Sequence, residues 1–131
     1  PLAHRMISEN QKVGIITANS ERLTEEHLMA VGIDDSTIAI AGMEEEKEWT
    51  DAICENPKKP LDPEKIQSAV ISVCKTLKEK EDLGAIVFEC TNLAPYAKRV
   101  QDNLKLPVFD IVTLVNTVYN AVVRRKFVGF F

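Results

Sequence analysis

Residues 84–97 read Gly-Ala-Ile-Val-Phe-Glu-Cys-Thr-Asn-Leu-Ala-Pro-Tyr-Ala, and the change of character at Glu89 decides the fold. Gly84 to Glu89 is an apolar run too short for a helix, which predicts a buried strand. Cys90-Thr91-Asn92 is the turn after it. Leu93-Ala94-Pro95-Tyr96 then opens a helix, where Pro95 is tolerated because first-turn amides have no intrahelical partner. The same punctuation recurs upstream. Lys12 to Ala18 predicts a strand ending in the polar turn Asn19-Ser20, and Thr24 caps a helix that carries Glu25 and Glu26 in its first turn and stops near Gly32. Thr37 to Ala41 is a further strand, stopped by Gly42. The acidic run Glu44–Glu48 leads into a short helix with Trp49, Ile53 and Cys54 on one side, closed by Asn56-Pro57. Asp62-Pro63 starts a long helix to about Glu81, whose Ile66, Val70, Val73, Cys74 and Leu77 form a core-facing stripe. Leu106–Asp110 is the fourth strand. Ile111–Phe127 is the closing helix, with its basic residues in the final turn.

Strands alternating with helices predict an α/β domain: a four-stranded, mostly parallel sheet with helices on both faces and, with right-handed crossovers, the order 2-1-3-4. Ligands bind such sheets at the carboxyl ends of the strands where the winding reverses, here between the first and third strands. The loops of interest are therefore Thr17–Ser20 and Glu89–Asn92, with Gly42–Glu44 and Asp110 beside them.

Composition agrees with one such domain. Sixteen Lys and Arg against twenty Asp and Glu give a net charge of −4 over 131 residues, of which 45% are hydrophobic and 27% charged. Neither disorder nor a disulfide scaffold fits that balance. The longest basic run is Arg124-Arg125-Lys126, which argues against nucleic acid. No apolar run reaches membrane length and no secretion signal opens the sequence. Cys54, Cys74 and Cys90 are odd in number and widely spaced, so neither disulfides nor a metal site is expected, and the reducing cytoplasm is the expected compartment. The sequence begins Pro1-Leu2-Ala3, as a processed or shortened chain would.

Cys90 is the most informative residue. A helix start just after it can stabilise a thiolate, which would serve as base, nucleophile or redox sensor; the alternative is a small residue filling space. Glu89 beside it opposes a thiolate, so it either points away or acts as a general base. Asn92 reads as an N-cap, or with Thr91 as part of a carboxylate cradle. Thr17, Asn19 and Ser20 invite the same two readings. Cys74 lies on a core stripe and reads as structural, as do Cys54 and Trp49. The run Glu44–Glu48 reads as a solvated helix start. His4 and His27 are expected away from the strand-end loops, which argues against a Cys–His pair.

GAIVFECTNLAPYA followed by LPVFDIVTLVN resembles the second-lobe cysteine segment of the aspartate/glutamate racemase superfamily, and VGIITANS resembles the strand and turn that begin that lobe. The resemblance covers almost the whole chain from Lys12. It implies a cofactor-independent enzyme of two α/β lobes with one cysteine from each, in which one thiolate removes the proton alpha to a carboxylate and the opposite thiol returns one. Cys90 would then be the second-lobe acid/base, with Thr91 and the Thr17–Ser20 turn holding the substrate carboxylate. Two positions depart from the pattern: Asn92 stands where several racemases have Glu or His, and Glu89 where Gly is usual. Hydantoin racemases, maleate isomerases and arylmalonate decarboxylases belong to the same superfamily.

The expected organisation is an inter-lobe segment at 1–11 and a single lobe at 12–131, closed by the helix at 111–127. The expected function is that of a racemase or isomerase lobe acting on a small carboxylic acid, inactive alone. A rival reading is a stand-alone flavodoxin-like module that binds a small anion or senses it without turnover. The closing helix is apolar on more than one face and is expected to meet either a first lobe or a second copy of the chain.

Overall fold

The computed structural model describes residues 2–55, 60–126 and 128–129. Strands β1 (Lys12–Thr17), β2 (Ile38–Gly42), β3 (Leu83–Phe88) and β4 (Val108–Phe109) form one parallel sheet in the expected order β2-β1-β3-β4. Between them run α1 (Glu25–Ala30), α2 (Lys47–Trp49), α3 (Pro63–Lys80) and α4 (Ala97–Leu104), with α5 (Ile111–Val122) after β4. A π-helical turn, Thr50–Glu55, continues α2.

Local chemistry sets these boundaries. Asp62 accepts a hydrogen bond from the Lys65 N–H and Pro63 occupies the first turn of α3, while Gly32, at φ 68°, takes the left-handed conformation just after α1. Strand alternation then divides the core in two. Ile16, Ile86 and Phe88 face α3 and α4 in a large cluster with Trp49, Ile66, Val70 and Cys74. Val13, Ile15 and Ala85 face the other way, into a smaller cluster with Leu28 of α1, Ile38 and Ala3. Gly14 makes the larger side tight: a Cβ there would lie 2.9 Å from Ile86 Cδ1 and from Leu83 Cδ1, and 3.3 Å from Leu77 Cδ2 of α3. The segment before β1 packs on the sheet, with Ala3 buried, Ile7 against the smaller cluster and Gln11 Nε2 donating to Asp82 Oδ1 at 3.3 Å.

The closing helix departs from expectation. It begins as read, at a reciprocal cap in which Asp110 accepts from the Thr113 N–H and the Thr113 hydroxyl oxygen accepts from the Asp110 N–H, both at 2.8 Å. It stops at Val122 rather than Phe127, so Arg124–Lys126 lie outside it. Val122 and Val123 are β-branched and weak helix formers, and the Val123 N–H turns back to the Tyr119 carbonyl. None of its residues is buried: Ile111 is 42% exposed and Val122 73%. Asn56-Pro57, Phe127, Phe130 and Phe131 lie outside the described residues.

Candidate active site at the strand ends

The carboxyl ends of β1 and β3 are locked together by backbone and side chain. Glu89 extends the ladder by one residue, its N–H donating to the Ile16 carbonyl at 2.9 Å. Thr17, only 4% exposed, donates its hydroxyl to Glu89 Oε2 at 2.8 Å. The Thr17 carbonyl in turn accepts from the Met43 N–H at 3.0 Å, which ties in the loop after β2. Glu89 is therefore held by its neighbour strand. Of the two expectations for it, pointing away from the thiol is the one the structure supports.

Asn19 caps the short 3-10 turn Ser20–Arg22, its Oδ1 accepting from the Arg22 N–H. Ser20 gives both its N–H, at 3.1 Å, and its hydroxyl to the Glu44 carboxylate. Burial works against the charge on Glu44, but the Ser20 hydroxyl, its own backbone N–H and the Ser20 N–H together hold its carboxyl below the usual range. Glu44 is thus not on a solvated helix face, as the acidic run suggested. The helix starts only at Lys47, with Glu46 as its cap. The carboxylate lies over Gly42, whose lack of a side chain leaves room for it.

Thr17, Asn19, Glu44 and Glu89 line an open cleft of about 940 Å³, together with Arg22, His27 and Thr50. His27 therefore stands at the strand ends, contrary to expectation. It is in the first turn of α1, soon after β1 ends, and its Nδ1 is committed to Thr24 in the helix cap. His4 lies in a separate cavity with Val13 and Ile38.

Cys90 sits on the opposite side of the strand end from Glu89. Continuing the alternation of β3, it is half-buried against the larger cluster, and it is the N-cap residue of a 3-10 turn, Thr91–Tyr96. The helix expected immediately after it begins only at Ala97. Asn92 accordingly lies inside the turn instead of capping it, and Thr91 and Asn92 are both exposed. Pro95 deprives this segment of an amide donor, which suits a short tight turn better than a regular helix. Cys74 is buried in the core and its thiol is pushed up to about 12 by burial. The Cys54 side chain lies outside the described residues. Among the described residues no group of three or more His, Cys, Asp or Glu could hold a metal ion, and no helix is long and apolar enough to cross a membrane.

Comparison with known proteins places this geometry among relatives. The family described as Asp/Glu/Hydantoin racemase matches residues 1–116. A dimethylsulfoniopropionate lyase of Durusdinium sp. clade D is 30% identical over 118 residues, 86% of this chain and 38% of that protein. Dimethylsulfoniopropionate lyase 3 of Emiliania huxleyi is 29% identical over 116 residues, 82% of this chain and 30% of that protein. The allantoin racemase of Pseudomonas fluorescens shares the fold with a TM-score of 0.61 at 16% identity, over 98% of this chain and 57% of that one. The chain thus spans well under half the length of these lyases.

Proposed function

The chain belongs to the Asp/Glu/hydantoin racemase family, and from that premise we propose that it is one lobe of a cofactor-independent enzyme in which Cys90 acts as acid/base on a small carboxylic acid. The observation that supports this most is the position of Cys90, which follows the end of β3 within the matched region, next in sequence to the cleft-lining Glu89, and is the N-cap residue of a turn. A thiolate there removes the proton alpha to a carboxylate, and the charge that develops on the carboxylate is met by hydrogen-bond donors. Thr91, Asn92 and the side-chain amide of Asn19 supply them, while Thr17 and Ser20 of the same turn as Asn19 give their donors to the protein's own carboxylates, Thr17 to Glu89 and Ser20 to Glu44. Return of a proton to the opposite face gives racemisation. Departure of a group on the next carbon, with the freed electron pair forming a double bond, gives elimination, the reaction class that the name of the lyases denotes.

Either outcome needs an enclosed site, and racemisation needs a second acid/base across the substrate. Cys74 cannot provide it, being buried in the core. A first lobe or a second copy of the chain completes the site, and the reducing cytoplasm keeps its thiols free.

Two measurements test this reading. Iodoacetamide should label Cys90 in the folded chain at least about tenfold faster than Cys74, whose thiol is buried and held in its neutral form. Equal rates would remove the case for Cys90. The isolated chain should not exchange the alpha hydrogen of small carboxylic acids in heavy water. Sustained exchange with inversion, abolished by Cys90→Ala, would show instead that the chain completes the site by itself.

A further inference from the structure

Half of the proposed carboxylate cradle is already occupied by the protein's own carboxylates. Both donors of Ser20 are spent on Glu44, and the Thr17 hydroxyl is spent on Glu89. By contrast, the side chains of Thr91 and Asn92, on the other turn, make no hydrogen bond within the described residues and are exposed. The Glu44 carboxylate lies over Gly42, whose bare Cα leaves room for it there. Two residues, 24 apart in sequence, are thus joined across the cleft mouth by a contact that the acidic run alone does not require.

We infer that Glu44 is a specificity-determining residue: it takes the place a second substrate carboxylate would occupy and restricts the site to monocarboxylates. The inference rests on the carboxylate site proposed above. A single carboxylate can use the Thr91–Asn92 side, whereas the far carboxylate of a dicarboxylate would meet Glu44 with no free donor at Ser20 and a like charge in its path. Selection against the second acid group is by repulsion, and it distinguishes this lobe from one built for aspartate or glutamate.

The test is titration of the intact chain with propionate and with succinate at pH 7, followed by NMR through the amide signals of Ser20 and Asn92. The wild type should bind propionate about tenfold or more tightly than succinate. In Glu44→Ala the Ser20 donors are released, and the ratio should fall to near one as succinate gains and propionate stays unchanged. Glu44→Gln keeps an oxygen able to accept from Ser20 but removes the charge, so its ratio should lie between the two. That ordering is one a merely structural loss would not produce. An unchanged ratio in both variants, with both acids still bound at these turns, overturns the specificity role and leaves the carboxylate site standing. If neither acid binds any of the three proteins, the carboxylate site is overturned, and the inference with it.

Discussion

Replacing Trp49 by Ala is expected to cost about 3–5 kcal/mol, as large-to-small changes at a closed core position do. Domains of this size have roughly 5–15 kcal/mol in total, so the variant should be partly unfolded at physiological temperature. Trp49 is completely buried and belongs to the larger cluster, which also holds Ile66 and Val70 of α3. It is the residue through which the short α2 is anchored, and the loop carrying Glu44 leads directly into that helix. The indole N–H has no hydrogen-bond partner among the described residues. Trp49→Phe therefore loses volume but no hydrogen bond and should cost less than half as much. Urea unfolding followed by circular dichroism would check both. A midpoint unchanged in Trp49→Ala would show that the cluster does not depend on it.

The chain in solution at micromolar concentration should be at least a dimer, held through α5. A helix that rests on its own lobe with no residue fully buried gains little stability from it. Yet Val112, Leu114, Val115, Val118 and Tyr119 are each about half exposed, on more than one side. A helix of 12 residues is marginal by itself in water. The remedy open to the isolated chain is a second copy, packed helix to helix or with helices exchanged between subunits. The double change Leu114→Asp and Val118→Asp should give a monomer by light scattering, with helix content reduced by roughly the length of α5. A wild-type chain that stays monomeric across the range would exclude assembly by this helix.

The sheet was legible in the sequence because each strand is an apolar run too short for a helix and bounded by turn residues, alternating with helical segments as in a parallel sheet. The site was legible only as far as strand ends can be located. Thr17, Ser20, Glu89 and Glu44 could all be placed at or beside the crevice, but not the pairing of Thr17 with Glu89 and of Ser20 with Glu44. The role of Glu44 depends on a contact to Ser20 and on the bare Cα of Gly42, and neither leaves a periodic signal. His27 was misplaced although chain order pointed to it: it is the third residue of α1, the first helix after β1, and so stays near the strand end. The opposed directions of Glu89 and Cys90 follow from strand alternation, and so were available once β3 was known to end between them.

The central position of β1 also has a consequence in time. Its first partner, β2, lies about 25 positions downstream, but its other edge pairs with β3, as in Lys12 with Leu83. A chain emerging from the ribosome in order therefore carries β1 with one edge unpaired until most of the domain has been made. Contacts so distant in sequence slow folding, because the intervening loop must be closed before they form. Val13-Gly14-Ile15-Ile16 is meanwhile an apolar strand with free backbone donors and acceptors, the kind of edge that pairs with other chains. Synthesis halted before Leu83 should leave a species that recruits chaperones or aggregates, while one extended past Phe88 can close the sheet over that edge.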